Sequence, residues 1–161
     1  MNKDPAPLGA SDLEGARRLL STIKPEKASV ALLSTVSAEG RPHATWMFVS
    51  RSLDPGIDFL TITSPESSKL GNVSANPKVE WLISSQDRME QLYLEGDAEI
   101  IEDVAEIKRL WAMIGGKDKA YFMKYYNSGM GFTIVRTRVS AAFYSLPEEY
   151  RKVGIPLDDL K

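Results

Sequence analysis

The residues whose types and spacing best suit chemistry form a polar loop between a predicted strand and a predicted helix. The strand covers Asp58–Thr63, and the helix begins near Ser67 and ends at Ala75. Free N–H groups at the start of a helix attract an anion, side-chain hydroxyls add donors, and Lys69 adds a positive charge. The loop therefore predicts a phosphate site, but not a Walker A loop, because the glycines of that loop are missing. A capped surface helix with a solvated lysine explains the same residues and stays open as the alternative.

Other residues that are able to do chemistry form weaker patterns. The chain has one histidine, His43, and no cysteine, which excludes an ordinary zinc site, an iron–sulfur cluster and a disulfide. His43 could ligate a haem or act as a general base, but a polar strand position at the rim of a barrel is the simpler interpretation. The carboxylates between Asp97 and Asp103 have the pattern of a solvated strand face followed by a helix cap. Neither a nucleophile elbow nor a dinucleotide-binding glycine motif is present, so we identify no catalytic residue and no metal ligand.

Length and composition are those of a single globular domain. The chain has 161 residues, of which 43% are hydrophobic and 26% are charged, and its formal net charge is -2. Without a basic stripe it lacks the pattern of a nucleic-acid-binding protein. We expect a soluble cytoplasmic protein, because the N-terminus has no apolar signal segment and no apolar run approaches the ~20 residues of a membrane helix.

The hydrophobic pattern predicts six strands, several of them joined by tight turns. Gln91–Ile100 alternates strictly between apolar and polar residues, which is typical of a strand with one face on a core. The last strand is too long to lie flat and is expected to bend. Six mostly antiparallel strands with helices outside them fit a closed or split barrel better than a sandwich. The predicted strands are Ser29–Val36, Pro42–Ser50, Asp58–Thr63, Lys78–Ser84, Gln91–Ile100 and Gly131–Tyr144.

Helices are predicted where capping residues precede an apolar helical repeat. Ser11 and Glu14 have the spacing of a capping box for the first helix, and Asp103 is the predicted cap of a later one. A further helical piece is predicted over Lys117–Tyr125. The expected parts of the chain are a flexible arm over 1–10, a barrel domain over 11–146 and a polar tail over 147–161.

Five short motifs follow one another in a fixed order along the predicted strands: Gly40-Arg41-Pro42-His43, Phe59–Thr63, Ser67-Ser68-Lys69, Asn76-Pro77 and Leu94-Glu95-Gly96. This ordered set resembles the pyridoxamine 5'-phosphate oxidase-like family of FMN-binding split barrels. The resemblance covers Ser29–Tyr144, about three quarters of the chain, and is closest to the general stress protein branch. It implies a mainly β fold, namely a six-stranded antiparallel split β-barrel with peripheral helices.

The resemblance also implies which residues contact FMN. The second strand contacts the ring system and the phosphate, and a glutamine on the fifth strand meets the flavin edge. Two positions depart from the family pattern, because Thr45 and Ser68 stand where arginines often grip the phosphate. Lys69 is then the main phosphate-binding charge, and Arg41 or Arg51 could substitute for the missing arginines. The implied FMN-binding residues are Thr45, Trp46, Met47, Ser50, Ile62, Thr63, Ser67, Ser68, Lys69 and Gln91.

The function that the resemblance implies is that of an FMN-dependent oxidoreductase. Its site lies between the two protomers of a homodimer. The flavin carries out hydride or electron transfer, so no protein acid or base is required. The substrate is a small molecule, and the reductant is a nicotinamide nucleotide or a second reduced flavin. Trp46 is expected at the site, with Trp111 and Phe122 near it.

Three related functions differ in what they require of the chain. A reductase that uses the deazaflavin F420 needs extra basic residues for the longer cofactor tail, and the loop lacks them. A non-catalytic flavin-binding or stress-response protein stays open. Pyridoxamine phosphate oxidase activity itself is not expected, because the polar segment Glu148–Lys161 stands where that enzyme has an arginine-rich substrate-binding end.

Overall fold

The computed structural model describes residues 7–25, 27, 29–116, 119–120, 123–124 and 131–161. Phe122, most of the predicted Lys117–Tyr125 helix and residues 1–6 of the predicted arm lie outside this described part. Within it, no helix is long and apolar enough to cross a membrane.

The described part contains one antiparallel sheet that closes on itself as a barrel. Its strands are β1 (Ser29–Val36), β2 (Pro42–Arg51), β3 (Asp58–Thr63), β4 (Lys78–Ser84), β5 (Gln91–Ile101), β6 (Thr133–Leu146) and β7 (Arg151–Ile155). Their order across the sheet is β3-β2-β1-β4-β5-β6-β7, and β3 also pairs with β6. Strands β1 to β6 therefore form a six-stranded barrel, which confirms the predicted fold class. β7 extends the sheet beyond β6.

The length of β6 is what closes the barrel. Residues Thr133 to Arg138 pair with β3, and β6 also pairs with β5 over most of its length. The β5–β6 register shifts between Glu95 and Gly96, and such a bulge bends and twists a strand. The bend that the sequence predicts for the last barrel strand is therefore present.

The barrel interior is a close-packed apolar core. Phe59 and Trp81 are both 0% exposed and meet edge to face, with ring centroids 5.8 Å apart. The indole N–H of Trp81 donates to Thr137 Oγ1 at 3.1 Å, so the buried polar group of this large ring is satisfied. The first helix, α1 (Ala10–Leu20), packs its apolar side against the same core.

Two short helices pack on the barrel at different places. Helix α2 (Ser68–Ala75) contacts β1 and β5 and adds Val73 to the core. Helix α3 (Val104–Trp111) covers Leu60 and the other residues of a second apolar cluster. Its predicted cap is confirmed, because the Glu106 N–H donates to Asp103 Oδ2 at 3.1 Å.

The N-terminus of α1 differs from the prediction. The capping box of Ser11 and Glu14 is wrong, since the helix begins at Ala10 and the Gly9 N–H donates to Asp12 Oδ2 at 2.7 Å. The physical reason is tertiary: Arg151, at the start of β7, pairs with Asp12 at 2.5 Å. The spacing of Ser11 and Glu14 gives no information about Arg151, because that residue is distant in the sequence.

The residues that we predicted as a polar tail add structure to the barrel. A 3-10 turn at Pro147–Glu149 leads into β7, which pairs with β6 from Ala142↔Ile155 to Leu146↔Arg151. A last helical turn, α4 (Leu157–Leu160), buries Leu160 against the core.

We predict that Gly96→Ala destabilises the fold. A Cβ atom at this position would lie 2.3 Å from the carbonyl oxygen of Arg138, so backbone must shift to admit it. Overpacking of this kind costs about 1–3 kcal/mol, which denaturant unfolding measures directly. Gly71→Ala in α2 is the matched control, because a Cβ there meets nothing within 4 Å. A stability of Gly96→Ala equal to that of the unsubstituted protein would contradict the close approach.

Candidate functional site

The predicted phosphate loop forms a capped helix start. Ser67 is the cap of α2, and its hydroxyl accepts from the Lys69 N–H at 3.3 Å. The Ser67 N–H in turn donates to Ser64 O at 3.0 Å. The Ser68 side chain is exposed, and Lys69 is half-buried. Within the described part of the chain, the Lys69 ammonium has no ion-pair partner, so its charge is available to an anion.

Strands β2 and β3 pair only briefly before they reach this loop. Their register consists of two pairs, Ser50↔Leu60 and Arg51↔Phe59. Beyond them, the Thr61 hydroxyl donates to the carbonyl oxygen of Phe48 at 2.5 Å, where a ladder would use a backbone amide. Residues 42–49 of β2 therefore do not pair with residues 61–63 of β3. We call this unpaired stretch the seam. It is the split of the predicted split barrel.

The central residues of β2 line the seam with side chains on alternate faces. Trp46 lies on the outer face and is 60% exposed. Thr45 and Met47 are half-buried, and Met47 packs against the barrel core. Thr63, at the end of β3, is 5% exposed. The structure thus brings Thr45, Trp46 and Met47 together with the strand end that leads to the phosphate loop.

Two predicted contacts are buried by α3 and the residues that follow it. Ile62 is 1% exposed and belongs to the second apolar cluster together with Leu110 and Ile114. Ser50 is 0% exposed, and its hydroxyl accepts from the Gly115 N–H at 3.0 Å. In this arrangement the side chains of Ser50 and Ile62 stabilise the packing of α3. Only their backbone groups remain for a ligand.

Gln91 lies away from the other predicted contacts within one chain. It begins β5, which β1 and β4 separate from β2, and its Oε1 accepts from the Tyr93 hydroxyl at 2.8 Å. Tyr93 shares the outer face with Trp46, because Trp46, Leu32, Leu82 and Tyr93 are successive partners across the sheet. Gln91 and the seam therefore join in one site only if a second copy of the chain supplies one of them.

The outer face of the sheet is broad and apolar. Val30 is 54% exposed beside Trp46, and Leu32 and Leu82 are half-buried next to them. At the other side of this face, the Lys152 ammonium lies 4.2 Å from the centroid of the Tyr93 ring. Large exposed apolar patches are typical of interaction surfaces. We define the outer face by Val30, Leu32, Trp46, Phe48, Leu82, Tyr93 and Phe143.

The two arginines suggested as substitutes lie at opposite ends of β2. Arg41 precedes the strand, at the end where His43 pairs with Thr35 and α2 packs. Arg51 ends the strand, where its N–H donates to Lys24 O at 3.3 Å. Burial lowers the pKa of the Arg51 guanidinium. Arg41 is the arginine on the side of the phosphate loop.

Trp111, the other aromatic residue predicted near the site, lies close to the phosphate loop. Trp111 stacks on Phe132 with ring centroids 4.8 Å apart. Phe132 follows Gly131, where a Cβ atom would lie 3.7 Å from Pro65 Cγ in the phosphate loop. Trp111 therefore packs on the segment that borders the loop.

Two features of the described residues were not predicted from the sequence. The first is a buried pair inside the barrel end, where the Asn72 amide donates to Thr35 Oγ1 at 2.9 Å. A polar residue beside Leu70 and Val73 on a short helix is the pattern that could have revealed it. The second is a cavity of about 480 Å³ between α1 and the β6–β7 turn, lined by Ser11, Asp12, Glu14, Arg18, Glu90, Tyr144, Leu146, Glu149 and Arg151.

Five polar residues of that cavity are paired with one another. Glu90 accepts from both Arg18 and the Tyr144 hydroxyl, and Arg151 binds Asp12. Burial and the hydrogen bond to Glu90 raise the pKa of Tyr144. Among the described residues, no group of three or more histidine, cysteine, aspartate or glutamate side chains is placed to hold a metal ion.

Comparison with known proteins identifies the family. The family model for pyridoxamine 5'-phosphate oxidase matches residues 21–144. The chain therefore belongs to the pyridoxamine 5'-phosphate oxidase family, as the motifs suggested. No curated protein sequence matches the chain.

Solved structures share the fold at low sequence identity. A protein from Clostridium acetobutylicum related to general stress protein 26 has a TM-score of 0.69 and 18% identity, over 96% of this chain and 100% of that one. A heme binding protein from Mycobacterium smegmatis has a TM-score of 0.67 and 20% identity, over 96% of this chain and 61% of that one. An FMN binding protein from Nostoc punctiforme, related to pyridoxamine 5'-phosphate oxidase, has a TM-score of 0.61 and 16% identity, over 89% and 84%. At these identities the likeness shows the fold alone.

We predict that His43→Ala leaves the fold and any bound chromophore unchanged. His43 is exposed on β2, so its loss removes no buried contact. The measurement is an absorbance spectrum and a thermal melt of both proteins, purified side by side. Loss of a bound chromophore in the variant would instead make His43 a ligand and favour haem.

Proposed function

We propose that the protein binds FMN at two equivalent sites shared between the protomers of a homodimer, and that it is an FMN-dependent oxidoreductase. The observation that carries this proposal is the position of the half-buried Lys69. It lies at the end of the seam, without an ion-pair partner among the described residues. A phosphate group matches this charge and the hydroxyls of Ser67 and Ser68.

The residues of the seam fit the other parts of FMN. Trp46 offers a large exposed aromatic surface beside the seam, and flat rings bury much area at low entropy cost. Thr45 and Met47 would contact the ring system, while Thr63, Ser67, Ser68 and Lys69 would hold the phosphate. Ser50 and Ile62 would contribute through their backbone, because their side chains are buried. Arg41 is the cation that could assist Lys69.

The position of Gln91 supports a shared site. Gln91 and the seam belong to the same outer surface but lie at different strands of it. A twofold axis through the outer face brings the β5 side of one protomer to the β2 side of the other, because a twofold interface uses the same patch on both copies. Burial of Val30, Leu32 and Trp46 would contribute to the stability of the dimer.

The chemistry would belong to the cofactor. Bound FMN supplies hydride or electron transfer, and the protein orients it and excludes water. The predicted substrate is a small molecule, and the reductant is a nicotinamide nucleotide or a second reduced flavin. The absence of cysteine suits the reducing cytoplasm as the site of action.

Two rival functions make different demands on the same site. F420 carries a longer anionic tail, and the loop offers Lys69 where several cations would be needed. A non-catalytic flavin-binding or stress-response protein would bind FMN equally well but would not catalyse a reaction with it. Addition of NADH or NADPH to the FMN-loaded protein separates the two flavin functions, because only a reductase bleaches the flavin absorbance.

We predict that Lys69→Ala weakens FMN binding by about 10- to 150-fold, since a hydrogen bond to a charged group contributes roughly 1.5–3 kcal/mol. Lys69→Glu weakens it further, because a like charge then faces the phosphate. Riboflavin has no phosphate, so its affinity hardly changes. Fluorescence titration of both ligands measures the difference.

Lys108→Ala, on the exposed surface of α3, is the matched control and should bind both ligands normally. Equal losses of FMN and riboflavin in Lys69→Ala would mean that Lys69 acts through the fold. Unchanged FMN affinity would mean that the phosphate lies elsewhere.

We predict that Val30→Glu dissociates the dimer. Val30 is 54% exposed on the outer face, and a charge buried there without a partner costs at least about 2 kcal/mol, which raises the dimer Kd about 30-fold. Leu53→Glu is the control, because Leu53 is 61% exposed but lies in the β2–β3 turn, off the outer face. Sedimentation of the three proteins gives their oligomeric states. A stable dimer of Val30→Glu, or a monomeric unsubstituted protein, would contradict the shared site.

A further inference from the structure

Helix α2 carries one buried polar side chain on an otherwise apolar contact surface. The Asn72 amide donates to Thr35 Oγ1 at 2.9 Å, and the two residues are 8% and 2% exposed. The neighbouring contacts of the helix, through Leu70 and Val73, are apolar. Apolar contacts are not directional, whereas a hydrogen bond fixes distance and angle. The Asn72–Thr35 bond is therefore the contact that fixes how α2 sits on β1.

The two ends of α2 are held differently. Just past its C-terminal end, the carbonyl oxygen of Pro77 accepts from the Ala98 N–H of β5 at 2.8 Å. At its N-terminal end, the bonds described among Ser64, Ser67, Lys69 and Leu70 are all local to the loop. These local bonds shape the loop but do not locate it on the barrel.

The geometry of the helix makes the loop sensitive to the Asn72–Thr35 bond. Ser67 lies eight residues before the C-terminal end of α2 at Ala75, which is ~12 Å of helix at 1.5 Å per residue. A tilt of about 5° about that end moves Ser67 by ~1 Å, which is enough to spoil a binding constellation. Thr35 also pairs with His43 of β2, two residues before Thr45. The bond thus connects the phosphate loop to the strand that carries Thr45 and Trp46.

We propose that Asn72 and Thr35 are positioning residues, which place the phosphate loop correctly relative to β2 without touching the ligand. This inference rests on the proposed FMN site. Loss of the bond lowers the affinity for FMN, because the loop then samples positions away from the phosphate. The affinity for riboflavin is unaffected, because its ring system is held by the seam.

The test compares the FMN-to-riboflavin affinity ratio in variants that keep side-chain volume. Thr35→Val and Asn72→Leu each remove one partner of the bond. Each is expected to lower the affinity for FMN roughly 3- to 10-fold, while the affinity for riboflavin changes less than about twofold. Thr35→Ser keeps the accepting oxygen and keeps the FMN affinity. The double variant Thr35→Val/Asn72→Leu is expected to bind FMN no more weakly than the single variant with the lower FMN affinity, because each single change already removes the same interaction.

Thr137→Val is the matched control. It removes another buried bond to a threonine hydroxyl, donated by Trp81 at 3.1 Å, which joins β4 to β6 in the same barrel and involves no residue of α2. It is expected to lower the melting temperature as the Thr35→Val change does and to leave the affinity ratio unchanged.

The outcomes separate this inference from the function on which it rests. If Lys69→Ala lowers the ratio but Thr35→Val and Asn72→Leu do not, the phosphate site stands and the positioning role is overturned. Equal losses of both ligands in the two variants, or a ratio lowered by Thr137→Val as well, also overturn it, since the bond then acts through general stability. If the unsubstituted protein binds neither flavin, the proposed function and this inference fail together.

Discussion

The early end of the β2–β3 ladder is the feature on which the rest of the site depends. β3 must pair with β6 along its whole length to close the barrel, and it meets β2 in register at two pairs. The seam that results is bordered by β2 on one side and leads through Thr63 into the phosphate loop. A fully paired barrel would cover this backbone and leave no entry for a planar ligand. The helix packed at the barrel end is then needed to locate the loop.

Packing around the seam divides the predicted contacts into groups with different roles. Helix α3 covers the outside of β3 and withdraws Ile62 and Ser50 from solvent. Arg109 holds this helix to the β2–β3 turn through Asp54 at 2.7 Å, and its hydrogen bond to Glu106 lowers the pKa of that carboxyl to about 2. On the other side of the seam, Val30 and Trp46 of the outer face are 54% and 60% exposed. Strand β2 is thus packed beneath the residues that follow α3 at Ser50, whereas Trp46, four residues earlier on the same side of the strand, is exposed.

The fold was predictable where the pattern is local and strict. The alternation of β5, the Ser67 and Asp103 caps and the order of the motifs were sufficient for the barrel and its family. What escaped prediction depends on contacts between distant residues. Arg151 moves the α1 cap to Gly9, and pairing with β6 turns the short, partly polar segment Arg151–Ile155 into a strand. Likewise, no local pattern reveals that Ser50 accepts from Gly115 or that Gln91 lies across the sheet from the seam. The boundaries of the arm and the barrel domain stay predictions.

The central claim is that two copies of the chain bind FMN in sites that neither copy completes alone. The most direct measurement is size-exclusion chromatography of the protein after incubation with FMN, with detection at 280 nm and near ~450 nm, where oxidised flavin absorbs. The account predicts that flavin absorbance elutes with a dimer, at one FMN per chain. Flavin that elutes with a monomer, or only as free FMN behind an apo dimer, would contradict it.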